Sequence, residues 1–488
     1  MFYKRMKIVF TMFLLIMFFM VYKVGYYSII LHKQYTHLSA SQRLKTYMYN
    51  SNRGDILDRK LKPLTDRDSE TVVVYSPNME NEDVKEVLVA EPYSETNDLV
   101  DGSYVVERTT RNSGVAAHLI GNVGYARFPK LYGLRGVSGL EKQYDDKLAG
   151  VPARVALIAD SMGRPIMGIP PYNIEGDKNK NNLVLTIDAD IQESLEYVID
   201  TKNLIERGAV IVMDPYNGEV IAMVSRPSMN FLNIDDGSHL NKAIQINKGF
   251  HPASVFKIVI GLYALENGHS PNTSYTCKDM CIYPHGHITF REGIAKSCNE
   301  VFYQMVLQYG PEAILDYAKG LGFGEKTGID LNGESNGMLP EIDTVKGAQG
   351  NRLLAMGQGQ LEVTPMQIAK LTAMVANGGY EVTPKVVGYL GKNPNKLYGF
   401  RNLGPRTLSK ESATQMQKMM ELTTKIGTAK ALDGFGAVKT GTGDNKNRWM
   451  TGYFPQENPQ YVVTIFVEEG YGQRISSVTK EIVKTIFN

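Results

Sequence analysis

Ser254 and Lys257 stand three residues apart in His251-Pro-Ala-Ser-Val-Phe-Lys-Ile-Val-Ile-Gly261, a spacing that a helix turns into one face. A serine hydroxyl beside a lysine amine pairs a nucleophile with a base, and that pair suits acyl transfer. Ser-x-x-Lys also arises by chance as surface decoration or capping, so its surroundings decide. Pro252 suits a helix start, and Phe256 to Ala264 is almost wholly apolar, which predicts a buried core helix. A lysine in such a helix needs partners or a depressed pKa. His251 is close by, but a serine–histidine mechanism needs an oriented acid partner, and the motifs point elsewhere.

Two further elements join the pair. Ser297-Cys298-Asn299 follows Lys257 by forty residues, and Lys439-Thr440-Gly441-Thr442 lies near the C-terminus, between strand-like runs. Ser-x-x-Lys, Ser-x-Asn and Lys-Thr-Gly in that order resemble the pattern of penicillin-recognising serine acyl-enzymes. Cys298 reads as buried filler between two polar residues that face a cleft, and Thr440 and Gly441 read equally well as a strand-edge pair.

The elements that would position these groups need a long chain. At 488 residues the default is two soluble domains. Lys4, Arg5 and Lys7 precede an apolar run from Ile8 to Tyr22, and Lys23 separates it from a second apolar stretch, Val24 to Leu31. Lys23 can snorkel, which extends the usable length to about 20 residues, enough for one span. A cleaved signal is the alternative, but no small-x-small site closes the run. The expectation is a single-pass anchor at 8–31, a cytoplasmic tail at 1–7 and an extracytoplasmic body. Fifty-three basic residues balance fifty-one acidic ones, which makes no case for nucleic-acid binding.

Beyond the anchor, Arg53, Gly54, Asp58 and Arg59 form a compact charged turn that reads as a structural ion-pair network. Leu140, Tyr144 and Leu148 recur at helical spacing as core packing, with Gly150 as the cap. The polar run Glu175 to Asn182 marks the boundary between a membrane-proximal domain, 32–176, and a second domain, 182–488. In the second domain Leu183 to Ile187 reads as a strand and Ala189 to Ile199 as a helix. A hairpin then turns at Pro215-Tyr-Asn-Gly218. Ala437 to Thr442, Trp449 to Phe454 and Tyr461 to Val467 read as strands before a closing helix. The expected fold is α+β, a mixed N-terminal domain followed by an antiparallel sheet flanked by helices.

Cys277, Cys281 and Cys298 are too few for a disulfide scaffold. Cys277 and Cys281 are close enough for a local disulfide, which export permits, or they stay as free thiols. With His285 and His287 they also make a Cys-x3-Cys-x3-His-x-His set. Zinc sites commonly use wider separations between ligand pairs, so no metal is expected.

Over essentially its whole length the sequence resembles the class B penicillin-binding proteins, monofunctional peptidoglycan D,D-transpeptidases. Arg53-Gly-x-Ile-x-Asp-Arg59, Gly139-x-Glu-x-x-Tyr144 and Gly150 look like pieces of that family's pedestal. Thr186-Ile-Asp-x-x-x-Gln192 looks like the entry to its transpeptidase domain. Gly357-Gln-Gly359, Thr364-Pro365 and Ala376-Asn-Gly-Gly379 look like its later signatures. The resemblance implies Ser254 as nucleophile, Lys257 as neutral base, Ser297 as proton relay and Asn299 as holder of the donor peptide amide. It implies backbone N–H groups of Ser254 and Thr442 as the oxyanion hole. Thr440, Gly441 and Thr442, backed by Lys439, would receive the substrate carboxylate. Ala253 departs from the glycine that relatives usually carry before the nucleophile. No cofactor is implied. The implied partners are peptidoglycan stem peptides, the lipid-linked precursor polymer, β-lactams and a SEDS-type membrane glycosyltransferase. Open alternatives are a D,D-carboxypeptidase or β-lactam hydrolase, and a non-catalytic scaffold of a wall-synthesis complex.

Overall fold

The apolar N-terminal run folds as one helix, α1 (Phe2–Gly25), which continues into a π-helical turn at Tyr26–Ile30. None of its residues is buried against protein. A helix apolar on every side and long enough to cross a bilayer takes lipid as its solvent, and its basic end marks the cytoplasmic side. Among the described residues it is the one helix long and apolar enough to cross a membrane, which makes the chain a single-pass membrane protein with its body outside. The computed structural model describes residues 2–33, 35, 43–50, 53–75, 89–92, 104–125, 134–149, 153–160, 166, 172–174, 180–229, 238–246, 250–397, 399, 401–443, 445–470 and 474–487. The expected cap at Gly150 and most of the polar run 175–182 lie outside the described residues.

Two three-stranded antiparallel sheets are described in the N-terminal part of the chain. Ala153–Ile158 lies between Leu44–Asn50 and Tyr172–Ile174, and Thr65–Tyr75 lies between Val89–Pro92 and Tyr104–Ser113. The charged turn is built as an ion-pair network. Arg53 reaches Glu141 and Asp145, each at 2.6 Å, and Arg111 meets the other Glu141 oxygen at 2.6 Å. Arg53 and Glu141 are almost fully buried, so removing either would strand a charge at a cost of about 3–5 kcal/mol. Leu140 and Leu148 pack in the core beside them.

The strand expected after the boundary, Asn182–Leu185, forms, but it pairs away from the main sheet. It runs parallel to Ile56–Leu57 on one side and antiparallel to Val387–Gly391 on the other, so it ties the charged turn to a strand late in the chain. Asp188 caps helix α2 (Ala189–Thr201). The hairpin follows as β1 (Gly208–Met213) and β2 (Val220–Arg226). Helices and a small hairpin, β3 (Ser274–Cys277) with β4 (Gly286–Thr289), intervene before β5 (Ala437–Thr442), β6 (Arg448–Phe454) and β7 (Tyr461–Val467). The five long strands form one antiparallel sheet in the order β2-β1-β7-β6-β5.

Alternation along the strands buries both faces of this sheet. Val210, Val212, Val438 and Ile465 pack against α2 and the last helix, Ile475–Phe487. Ala209, Ile211, Ala437 and Phe466 face the larger core of the helical region. On that second face Thr451 lies opposite Lys439 in the register. Its buried hydroxyl bonds Thr464 at 2.8 Å and Thr372 at 2.6 Å, which fastens helix Pro365–Ala376 to the sheet beside β5. The fold is the expected α+β arrangement of an antiparallel sheet flanked by helices.

Candidate active site

Ser254 sits in a short 3₁₀ turn, Ala253–Phe256, that runs directly into helix α3 (Lys257–Glu266). A 3₁₀ turn eclipses residues i and i+3, so Lys257 follows Ser254 along one edge. α3 is the buried apolar helix the sequence predicts, and Lys257 is fully buried in it. Its ammonium donates to the Ser297 carbonyl at 2.9 Å and to Asn299 Oδ1 at 2.6 Å, and lies 5.4 Å from the centre of the Phe302 ring. Burial pulls its pKa down to about 8, a shift that the sulfurs of Cys281 and Cys298 oppose.

Lys439 is equally buried on edge strand β5. Its Nζ donates to Ser297 Oγ at 2.9 Å and to the Thr440 carbonyl at 2.7 Å. Burial, and then the charge of Lys257, hold it well below the ordinary lysine range. Ser297 thus lies between two lysines, its carbonyl toward one and its hydroxyl toward the other. Its φ of +58° turns the chain between helix Phe290–Ala295 and helix Asn299–Tyr309, an uncommon conformation for a non-glycine residue.

Gly441 shows how closely β5 approaches the nucleophile. A Cβ there would come within 3.1 Å of the Pro252 carbonyl oxygen and 3.4 Å of Ser254 N. A side chain there would press on the Pro252 carbonyl, which would have to give by a few tenths of an ångström. Thr442 is exposed beside it, while Thr440 turns its hydroxyl inward to Thr428. Behind the turn, Ala253 N–H donates to the Gly357 carbonyl at 2.8 Å, and a Cβ on Gly357 would meet the Ala253 carbonyl oxygen at 2.1 Å. His251 is spoken for: Nδ1 contacts the Leu361 carbonyl at 2.8 Å, and its own carbonyl accepts from Trp449 Nε1 at 2.8 Å. Ala253 has φ of +49°, the left-handed region in which glycine is at home. That is the physical content of the departure seen in the sequence.

The three cysteines lie close together beside the site. Cys277 and Cys281, considered as a disulfide pair, are free thiols, as is Cys298. The sulfurs of Cys281 and Cys298 approach to 3.8 Å. The metal-ligating set also changes: His287 is absent from it and Cys298 takes its place. Donor atoms of Cys277, Cys281, His285 and Cys298 all lie within 4.8 Å of one another. His285 Nδ1 is buried and has no hydrogen-bond partner. Three sulfurs and an orphaned imidazole nitrogen are the donor chemistry of a tetrahedral zinc site, so the expectation of no metal does not fit these side chains. The cluster also touches the site, because Asn299 N–H donates to Cys281 Sγ at 3.2 Å and Asn299 Nδ2 donates to the Met280 carbonyl at 3.1 Å. Met280, Cys281 and Thr428 were not singled out for the site by the sequence reading; a cysteine inside Ser297-Cys298-Asn299, with two more shortly before it, was the available signal.

Residues 208–488 match the penicillin binding protein transpeptidase domain. The chain is similar to stage V sporulation protein D of Bacillus subtilis (strain 168), 26% identical over 522 residues, taking in 92% of this chain and 79% of that one. It is similar to the peptidoglycan D,D-transpeptidase MrdA of Acinetobacter baumannii, 29% identical over 56% of this chain and 46% of that one. Its fold is similar to that of the penicillin-binding protein PBP2 in its complex with MreC from Helicobacter pylori, with a TM-score of 0.72, 23% identity, and coverage of 91% of this chain and 98% of that one. With the family matched over more than half of its length, the chain belongs to the penicillin-binding protein transpeptidases, in the class B group.

Proposed function

We propose that the protein is a peptidoglycan D,D-transpeptidase that works through an ester on Ser254. Ser254 Oγ attacks the carbonyl carbon between the two terminal D-alanines of a donor stem peptide, and neutral Lys257 takes the hydroxyl proton. The developing oxyanion is received by the backbone N–H groups of Ser254 and Thr442. As the C–N bond breaks, Ser297 passes a proton to the departing D-alanine amine. An amine from a second stem peptide then attacks the ester, its proton returns through the same groups, and Ser254 is released. Asn299 holds the donor amide. Thr440, Gly441 and Thr442, with Lys439 behind them, receive the terminal carboxylate.

The observation that carries this reading is the convergence on Ser297: Lys257 reaches its carbonyl across 40 residues of sequence, and Lys439 reaches its hydroxyl across 142. A buried lysine brought down to about 8 is suited to accept a proton near neutrality. Penicillins, which mimic the D-alanyl-D-alanine end, would acylate the same serine.

In this reading residues 32–176 are a pedestal, residues 182–488 the transpeptidase domain, and Cys277, Cys281, His285 and Cys298 hold a structural zinc ion that steadies the Ser297–Asn299 turn. The chain would act on lipid-linked precursor polymer at the membrane beside a SEDS-type glycosyltransferase. The complex with MreC reported for the H. pylori relative supports membership in such an assembly. The test uses purified full chain and uncross-linked glycan polymer bearing pentapeptide stems. Cross-linked dimers and free D-alanine should appear together, and both should vanish in Ser254→Ala. D-alanine without dimers would make the protein a carboxypeptidase, and neither product would favour a scaffold.

A further inference from the structure

The loop after helix Lys410–Lys425 brings Thr428 against strand β5, where its hydroxyl lies 2.5 Å from that of Thr440. Thr428 is exposed, whereas Thr440 is buried. The main chain by itself already fastens this loop to the site. Thr428 N–H donates to the Ala295 carbonyl at 3.1 Å, two residues ahead of Ser297, and Ala429 N–H donates to the Thr423 carbonyl at 3.1 Å. Gly427 lies so close to the same Ala295 carbonyl that a Cβ would come within 2.0 Å of its oxygen, and Ala429 is fully buried. The bond between the two hydroxyls is therefore left for a role other than holding the loop.

We propose that Thr428 is a positioning residue for recognition of the substrate carboxylate: it donates its hydroxyl proton to Thr440 and so leaves the Thr440 proton to point at the anion. This rests on the transpeptidase reading above, in which Thr440 meets that carboxylate. A hydroxyl has one proton and two acceptor lone pairs, whereas an ionised carboxylate only accepts. An anion at the edge of β5 thus selects one order of donation, from Thr428 to Thr440 and from Thr440 to the carboxylate. Each bond in such a chain polarises the next, and the last is charge-assisted. The main chain of Thr440 is fixed separately, since its carbonyl accepts from Lys439 Nζ at 2.7 Å. Thr428 acts on the hydroxyl and leaves the strand in place.

The test uses a penicillin, whose carboxylate stands for the terminal one of the stem peptide, and the methyl ester of the same penicillin, which lacks the anion. Full-length wild type, Thr428→Val, Thr428→Ala and Thr428→Ser are compared, with the non-covalent dissociation constant measured apart from the acylation rate constant. In Thr428→Val the dissociation constant for the penicillin should rise about fivefold, while its acylation rate constant stays within about twofold of wild type. For the ester both constants should change by less than about twofold. Thr428→Ser keeps the hydroxyl and should match wild type; Thr428→Ala repeats the contrast if the thermal midpoint shows that valine disturbs the fold. The proposal is overturned if loss of the hydroxyl leaves penicillin binding unchanged, if acid and ester lose affinity equally, as a purely structural contact would cause, or if serine does not restore it. Failure of the underlying reading looks different. A wild type that binds acid and ester equally well would take the carboxylate away from Thr440, and one that no penicillin acylates would strike the acyl-enzyme itself; either result removes this role for Thr428 as well.

Discussion

Lys439 Nζ stands 2.9 Å from Ser297 Oγ, while the other lysine of the site, Lys257, holds the carbonyl of the same serine. Two fully buried ammonium groups on one residue cannot both carry charge at low cost. Burial makes both easier to deprotonate than a free lysine, and the charge of Lys257 adds to this at Lys439, which suits Lys257 to the base role proposed for it.

A pH profile reads this directly. With Lys257 at about 8, its neutral form is the minority below that pH and the majority above it. Acylation by a penicillin should rise with pH through about 8 and level off, by about tenfold between pH 7 and pH 9. Lys257→Met should lower the plateau by about a thousandfold with Ser254 still in place. A flat profile, or a profile that falls over this range, would remove Lys257 as the base.

Ala253 stores strain next to the nucleophile. Its φ of +49° costs an alanine roughly 1–2 kcal/mol, partly offset because glycine loses more freedom on folding. Ala253→Gly should stabilise the protein by about 1 kcal/mol, seen as a rise of about 2 °C in the thermal midpoint. A lower midpoint would mean that the methyl group packs well enough to outweigh the strain.

What the sequence made legible follows from what chemistry demands of residue type. Ser254, Lys257, Ser297, Asn299 and Lys439 were legible as a candidate set from residue type and the order of their motifs, and the long strands from alternation and turn residues. Pairing was less legible. Asn182–Leu185 reads as a strand, but nothing local says that it joins Ile56–Leu57 and Val387–Gly391. The candidate metal-ligating set differs from the one the sequence pattern offers for a specific reason. His285 and His287 would share a face on a regular strand, but Gly286 at φ of +67° breaks the alternation, so His285 joins the cysteines and His287 faces solvent. Cys298 enters from a distant turn, a contact that no local pattern carries.

That cluster has its own measurement. Full-length protein purified without chelator should contain about one zinc ion per chain, and Cys281→Ser should lose most of it. Stripping the metal should also slow penicillin acylation, since Asn299 leans on Cys281. Metal-free wild type whose three thiols all react readily with an alkylating reagent would show that the cluster holds no ion.

The account stands or falls on Ser254 as the acylated group. Intact-protein mass after incubation with a penicillin, with wild type and Ser254→Ala compared side by side, measures this most directly. The account predicts one drug-sized adduct on the wild type and none on the variant. An adduct that persists in Ser254→Ala, or a folded wild type that takes up none, would contradict it.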